Sequence, residues 1–345
     1  MVAVDDGNEG AARLPMVFAF SETGHSHILK DKPCQDSSYF ESNERYSFAC
    51  VADGHGGEDY VRSGTGSMLC CRAAYECMTD GDLLDALDSE NTPKRAEQLI
   101  LQLKKSIICR WNELVAEHLA ANAFAESELE PLSERVADRY RGGEYIERAY
   151  GTTLAAAVRT ERFCLILQLG DGMSVISSDS FAPFTEDRSC RDCDDASDDG
   201  FDDLDEAVTI QVPDDEGGEP KEPAEPLPYV CPLPIDEKCV LNQTTSMCDS
   251  SALSEMRHYY VSTYDGMLPD EIFLCTDGIA NSFAGRSQLY SFYSMIAENL
   301  REVTNEAERD SALCDLWDFI GRLSQKGSGD DVSIAAILNQ SFERE

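Results

Sequence analysis

The chain has few basic residues and no long apolar run. Its 345 residues contain 28 Lys and Arg against 66 Asp and Glu, which gives a net charge of −38 at pH 7. A surface this acidic repels nucleic-acid phosphates and anionic membranes. No stretch approaches the roughly 18 consecutive apolar residues of a membrane-spanning helix. We therefore expect a protein that binds neither nucleic acid nor membrane, with a charge that favours solubility, cations or basic partners.

A secretion signal is also lacking at the N-terminus. The first residues read MVAVDDGNEGAARLP, which is acidic and has no apolar core. We accordingly expect a cytoplasmic protein whose 14 cysteines are reduced thiols rather than disulfides. Residues 1–14 are predicted to be a disordered tail, followed by one domain over residues 15–345.

Strand-like and helix-like segments come in blocks along the rest of the chain. Short apolar runs bounded by glycine or charged turns predict strands at 16–20, 37–40, 46–52, 152–159, 163–169, 174–178, 271–275 and 332–338. Apolar residues at helical spacing predict helices at 58–78, 94–121, 131–141, 287–301 and 306–325. Because strands and helices do not alternate strictly, we expect an α+β fold of packed layers rather than a doubly wound sheet.

The composition changes between about residues 186 and 234. This stretch is acidic, rich in Pro and Gly, and poor in large apolar residues. It cannot bury enough apolar surface to offset the entropy lost on ordering, so we predict a mostly disordered insertion within the domain. Its acidic run DCDDASDDGFDD and its CRDC pair favour a solvated loop over a calcium or zinc site.

Aspartates recur at the ends of the predicted strands. Asp53 follows FACVA, Asp171 follows LILQLG and Asp277 follows IFLCT, and each of them precedes a glycine. Asp36 and Asp330 come shortly before two other predicted strands. Because the strands of one sheet share an edge, these acids are expected to converge and to repel one another unless a cation compensates. The pattern therefore predicts a site for Mg²⁺ or Mn²⁺, which prefer oxygen ligands.

Six segments of the sequence resemble the metal-dependent protein phosphatases of the PPM type, also called type 2C. They follow the family's order and are CQD at 34–36, VADGHGG at 51–57, GTTLAAAV at 151–158, QLGDGMSVI at 168–176, LCTDGIANSF at 274–283 and GSGDDVSIAAI at 327–337. The variants SETGHSH, PCQD and GDG resemble a bacterial branch of the family. The resemblance implies a four-layer α-β-β-α sandwich with two central antiparallel sheets.

The resemblance also implies an active site with two Mn²⁺ or Mg²⁺ ions. Asp53 matches the acid that bridges both ions, and Gly54 matches the residue that offers its backbone carbonyl. Asp277 and Asp330 match the other direct ligands, and Asp36 matches an acid that holds metal-bound waters. This assignment agrees with the acidic strand ends, since both lead to a site of oxygen ligands.

The activity that the resemblance implies is hydrolysis of phosphoserine and phosphothreonine in signalling proteins. A metal-bridging water would attack phosphorus in line, and His55 matches the proposed general acid for the leaving alkoxide. The expected partners are phosphoprotein substrates and a cognate serine/threonine kinase. We hypothesise that the acidic insertion gates the active site or attracts basic segments of the substrate.

Three positions depart from the family's pattern or need a separate assignment. The phosphate-binding arginine of the family is missing, and among His27, Lys30 and Lys32 we favour His27 as its replacement. Gln35 stands where many members have glutamate, which removes one negative charge beside the metals. Asp171 is expected to support the site from outside the metal ligands.

Two other functions remain open. The missing arginine is compatible with a phosphoprotein-binding module that keeps the fold without turnover. The metal centre is also compatible with hydrolysis of a small phosphate ester or a nucleotide. Metal-dependent turnover of a phosphopeptide excludes the first function, and a parallel assay with small phosphate esters separates the second.

Overall fold

The structure, a computed structural model, describes residues 15–90, 92–177, 229–234, 236, 239 and 244–341. Within these residues ten strands form two antiparallel sheets of five strands each. The strands are β1 Pro15–Glu22, β2 Ser37–Ser42, β3 Ser47–Ala52, β4 Leu154–Arg159, β5 Phe163–Leu169, β6 Met173–Ser177, β7 Tyr229–Val230, β8 Arg257–Ser262, β9 Glu271–Cys275 and β10 Val332–Ser341. The first sheet has the order β1-β10-β9-β6-β7, and the second has the order β2-β3-β4-β5-β8.

Ten α-helices lie outside the sheets in the described part of the chain. They are α1 His25–Leu29, α2 Ser63–Met78, α3 Gly81–Asp88, α4 Pro93–Ala121, α5 Glu126–Leu129, α6 Glu134–Arg141, α7 Ala252–Glu255, α8 Asp277–Ala280, α9 Arg286–Arg301 and α10 Glu306–Lys326. Helices α2, α3 and α4 pack on the second sheet, whereas α9 and α10 pack on the first. No helix in the described ranges combines the length and the apolar character of a membrane span.

The strands alternate their side chains between a helix-facing core and a core between the sheets. In β3, Phe48 and Cys50 join the core under the helices, whereas Ala49 and Val51 face the other sheet. This alternation follows from the two-residue period of a strand. Both faces of each sheet are covered, which explains the continuous apolar runs in the sequence. The molecule is a four-layer α-β-β-α sandwich, and the predicted α+β fold is confirmed.

Helix α4 shows how an amphipathic segment covers the second sheet. Pro93 occupies its first turn, where the missing N–H removes no helical hydrogen bond. Ile100, Ile107 and Trp111 recur at helical spacing and are buried. The indole Nε1 of Trp111 also donates to the carbonyl of Gly66 in α2 over 3.1 Å. The apolar face and this hydrogen bond together hold the two longest helices of the layer against each other.

The structure differs from the sequence-based prediction in a few elements. Strand β8 and helix α3 were not expected. Strand β8 was missed because its sequence RHYYVS is only half-buried at a sheet edge. Helix α2 begins at Ser63, since Glu58–Tyr60 forms a separate 3₁₀ turn. The predicted insertion ends too late, since Tyr229–Val230 already form β7. The rest of that insertion and the predicted tail lie outside the described residues.

Several cysteines serve as small apolar residues in the cores. The twelve described cysteines are free thiols, and Cys164 and Cys275 are fully buried on β5 and β9. Burial raises the pKa of each of these two thiols to about 12. They are therefore neutral at physiological pH and poor nucleophiles.

Candidate metal centre

Five aspartates lie at the same end of the two sheets. Asp53 and Asp277 follow the last residues of β3 and β9, and Asp171 follows the end of β5. Asp36 and Asp330 come shortly before the first residues of β2 and β10. Because these strands are antiparallel, the start of β2 lies beside the end of β3, and the start of β10 lies near the end of β9. The fold thus brings acids from distant parts of the chain together.

Asp36 is a buried acid that contacts the opposite sheet. Its side chain is 6% exposed, and its Oδ2 accepts a hydrogen bond from Oγ1 of Thr276 over 2.8 Å. Burial raises the pKa of Asp36 to about 8, although hydrogen bonds from Thr276 and Ser333 lower it. The negative charges of Asp331 and Asp277 add to the rise. In the absence of a cation this acid holds a proton at neutral pH.

Asp53 and Asp277 lie close enough for each carboxyl group to affect the pKa of the other. Burial raises the pKa of Asp53 well above its usual value, and the charges of Asp36 and Asp277 raise it further. Burial also raises the pKa of Asp277 to about 6, with contributions from the charges of Asp171 and Asp330. These acids therefore lack a compensating positive charge in the described part of the chain.

The backbone around Asp53 is held rigidly in the turn that follows β3. Its carbonyl accepts from the amide of Thr153 and from Oγ1 of Thr152, each over 2.8 Å. A side chain at Gly54 is not tolerated, because a Cβ there would lie 2.5 Å from the carbonyl oxygen of Gln35. The glycine is therefore required by the close approach of two backbone segments.

The carboxylate ligands at this end of the sheets are of the chemical type that a hard divalent cation prefers. Carboxylate oxygens are ligands that Mg²⁺ and Mn²⁺ prefer, and a cation here would supply the charge that the buried acids lack. In the part of the chain that the structure describes, no group of three His, Cys, Asp or Glu side chains already has the spacing of a metal site. The fit to a cation therefore rests on the chemistry of the carboxylates and on the raised pKa values of Asp36, Asp53 and Asp277.

Asp331, to which the sequence analysis assigned no role, joins three segments beside these acids. It is 4% exposed, and its two carboxylate oxygens accept from the amides of Gly24 and Gln35, each over 2.6 Å. The neighbouring Asp330 has a different role, since its Oδ1 accepts from the amide of Asp331 over 2.9 Å. Two adjacent acids differ in this way because Asp330 is exposed in the bend before β10, whereas Asp331 is buried among backbone amides.

His27, the predicted phosphate-binding residue, contacts Asp331. Its Nδ1 lies 3.0 Å from the Asp331 carboxylate, and the side chain is 14% exposed. This nitrogen is therefore engaged, which leaves Nε2 as the ring atom available to a phosphate.

Gln35 connects the segment before β2 to the turn of His55. Its Nε2 donates to Oγ of Ser63 over 2.6 Å and to the carbonyl of His55 over 3.3 Å. Its own carbonyl accepts from the amide of Gly54 over 3.1 Å. The residue thus positions the turn after β3 through neutral hydrogen bonds.

The His55 ring lies in a mostly buried pocket beside an arginine. It packs edge-on against Tyr60 with 5.0 Å between ring centroids, and Nε2 is buried without a hydrogen-bond partner among the described residues. Burial lowers the pKa of His55 to about 4, and the positive charge of Arg148 lowers it further. The free imidazole is therefore neutral at physiological pH, and a dianionic phosphate beside it would oppose both effects.

The family model described as protein phosphatase 2C matches residues 23–189 and 232–316 of the chain. The match includes four of the five clustered aspartates and leaves out Asp330. No curated protein is significantly similar to the chain in sequence.

Solved structures of bacterial phosphatases are similar to the chain at low sequence identity. The serine/threonine phosphatase PstP/Ppp of Mycobacterium tuberculosis is 15% identical, with 94% of this chain and 99% of that chain covered and a TM-score of 0.44. Stp1 of Staphylococcus aureus is 14% identical, with 99% and 100% covered and a TM-score of 0.43. The serine/threonine phosphatase of S. agalactiae is 12% identical, with 94% and 99% covered and a TM-score of 0.46.

Proposed function

Because the chain belongs to the protein phosphatase 2C family, we propose that it hydrolyses phosphoserine and phosphothreonine in proteins with two bound Mn²⁺ or Mg²⁺ ions. The observation that carries the proposal is the group of acids Asp36, Asp53 and Asp277, of which Asp36 is buried and the other two are half-buried. Their raised pKa values mark a concentration of negative charge that the described side chains leave uncompensated. A site for divalent cations explains why such an unfavourable group exists.

Each acid has a defined place in the proposed centre. Asp53, Asp277 and Asp330 would hold the ions through their carboxylates, and Gly54 would offer its backbone carbonyl. Asp36 would hold water beside the centre. When bound, the ions would activate a water for in-line attack and neutralise the charge on the phosphate.

The chain itself would position these groups and supply the proton for the leaving group. Thr276 and Gln35 hold Asp36 and the turn of His55 in place through their hydrogen bonds. The unpartnered Nε2 of His55 is the atom that would donate a proton to the leaving alkoxide. Because the free ring is neutral, His55 would gain that proton when the phosphate dianion binds.

The proposed setting is signalling in the cytoplasm. Phosphoproteins would be the substrates, and a serine/threonine kinase of the same cell would produce them.

Hydrolysis of a phosphothreonine peptide with and without Mn²⁺ tests the proposal. Asp53→Asn and Asp277→Asn keep the side-chain shape but remove a charged ligand, so we expect activity to need Mn²⁺ and to fall at least 100-fold in both variants. Asp270→Asn is the matched control, because Asp270 is an exposed acid before β9 at the opposite end of the sheet.

Two results would contradict the proposal. Turnover that is independent of metal, or that survives both substitutions, would remove the metal centre from the mechanism. Binding of the phosphopeptide with Mn²⁺ present but without turnover would favour a phosphoprotein-binding module, whereas turnover of small esters alone would favour a metabolite hydrolase.

A further inference from the structure

Two large apolar side chains are exposed at the end of α1. Ile28 is 62% exposed and Leu29 is 74% exposed, and α1 has no buried residue. Lys30 and Lys32 follow directly and are also exposed. We call Ile28, Leu29, Lys30 and Lys32 the docking ridge. Exposed neighbouring apolar residues rimmed by charge are typical of surfaces that bind another molecule.

The docking ridge is attached to the chain segment that carries Asp330. The amide of Ser26 donates to the carbonyl of Gly329 over 2.8 Å, and the amide of His25 donates to Oγ of Ser324 over 3.1 Å. A Cβ on Gly24 would lie 2.2 Å from the backbone carbon of Asp330, so the two segments touch. The ridge therefore lies next to the proposed metal centre. The buried Asp331 holds the segment before the ridge by accepting a hydrogen bond from the amide of Gly24.

The turn after α1 keeps the ridge in one conformation. The amide of Lys32 returns to the carbonyl of His27 over 2.9 Å, and Asp31 adopts a positive φ of 54°. A turn closed by backbone hydrogen bonds has little backbone entropy left to lose on binding.

The local charge of the ridge differs from that of the whole protein. Lys30 and Lys32 outnumber the single acid Asp31 in a chain with a net charge of −38. No ion pair with a described residue engages either lysine. The ridge therefore combines an apolar surface with cations that are open to an acidic partner.

We propose that the docking ridge binds the part of a phosphoprotein substrate that flanks the phosphorylated residue. Ile28 and Leu29 would contact an apolar side chain of the substrate, and Lys30 and Lys32 would contact an acidic one. The inference rests on the proposed function, and it adds a preference for substrates that carry both features. A second copy of the chain fits poorly, since stable dimers bury about 800 Å² per partner and the ridge is four side chains. An anionic membrane is opposed by the overall charge.

Comparison of three substrates tests the inference with Mn²⁺ present. They are a phosphothreonine peptide with Leu and Glu beside the phosphothreonine, the same peptide with Ser and Gln there, and para-nitrophenyl phosphate. We expect the double variant Ile28→Ser/Leu29→Ser to lose about tenfold in kcat/KM on the first peptide, mainly through KM, because loss of an apolar contact has an effect of that size. Hydrolysis of the aryl phosphate should stay within twofold.

The variant Met267→Ser is the matched control. Met267 is 66% exposed, and it precedes β9 at the end of the sheet opposite to Asp277. It should leave all three rates unchanged. An equal loss on the peptide and the aryl phosphate, or no loss on the peptide, would overturn the docking ridge.

A binding measurement keeps the inference separate from the proposed function. A fluorescein-labelled peptide with a non-hydrolysable phosphonate in place of phosphate reports binding by anisotropy. We expect about tenfold weaker binding to the double variant and unchanged binding to the control. If the native chain turns over no substrate, the proposed function fails, whereas equal binding by all three proteins would mean that the ridge does not dock this peptide.

Discussion

Thr276 and Asp36 form a hydrogen bond that joins the two sheets beside the proposed metal centre. Thr276 follows β9 of the first sheet, and Asp36 precedes β2 of the second. The hydroxyl of Thr276 donates to the carboxylate over 2.8 Å and accepts from the amide of Ser333 over 3.0 Å. One side chain therefore connects three strands at the point where the acids converge.

Replacing Thr276 by valine should destabilise the protein, and more at high pH. The change removes one hydrogen bond from the Asp36 carboxyl and removes the acceptor of the Ser333 amide, which costs about 1–3 kcal/mol. The Thr276 hydroxyl favours the ionised form of Asp36, so the loss should be larger at pH 8 than at pH 5. Urea unfolding at both pH values measures it. Thr276→Ser retains the hydroxyl as a control, and equal losses in the two variants would contradict this role.

The metal-free protein should lose stability as the pH rises. Asp277 has a pKa of about 6 in the folded state against 3.8 in its usual environment, and Asp36 has a pKa of about 8. Acids with a raised folded pKa contribute stability that is complete below about pH 4 and is lost as the pH rises through 6 and 8. Asp277 alone accounts for on the order of 3 kcal/mol at 1.36 kcal/mol per pKa unit.

Urea midpoints in a chelator at pH 4, 6 and 8 measure this loss. Added Mn²⁺ should restore stability at pH 8, because the cation binds the ionised acids. Asp277→Asn serves as the control, since a neutral amide should flatten the decline. A metal-free protein that becomes more stable between pH 4 and pH 8 would contradict the uncompensated acid group.

A methyl group at Gly66 should disrupt the packing of α2. A Cβ there would lie 1.8 Å from the carbonyl oxygen of Tyr150, which belongs to the segment before β4. We expect Gly66→Ala to lower the free energy of unfolding by about 3 kcal/mol or more, because this backbone contact must open. Gly321→Ala on α10 is the matched control, since its Cβ meets nothing within 4 Å.

The Gly321 control should change stability in the opposite direction. Alanine is better than glycine in a helix by about 0.5–1 kcal/mol. Thermal unfolding of the two variants therefore separates the steric effect from helix propensity. Similar behaviour of both variants would show that α2 shifts away from Tyr150 without a penalty.

Layer order and the convergence of acids were predictable from the sequence. Apolar runs such as FACVA mark strands covered on both faces, and an aspartate directly after such a run must lie at the end of a sheet. The roles of Asp53 and Asp277 as metal ligands stay predictions, as do those of the other assigned residues. What the sequence does supply is the position of each acid relative to its strand.

Contacts between distant segments were not predictable. The pairing of His27 with Asp331 joins positions 304 residues apart, and no local pattern reports it. The burial of Asp331 beside the less buried Asp330 depends on which backbone amides surround each carboxylate. Strand β8 was missed because it lies at a sheet edge and is only partly buried, so its sequence RHYYVS begins with polar residues and lacks the apolar run that marks the central strands.

The pairing of β6 with β7 determines where the chain between these two strands leaves the sheet and returns to it. Ser177, the last residue of β6, pairs with Tyr229, whereas Met173 at its other end pairs with Cys275 beside the metal centre. The chain therefore departs from the sheet and rejoins it at neighbouring points, at the end away from the acids. Loop-closure entropy grows only slowly with length. A change in the length of that segment is therefore expected to leave the geometry of the acids unchanged, because both of its ends join the sheet at the opposite end.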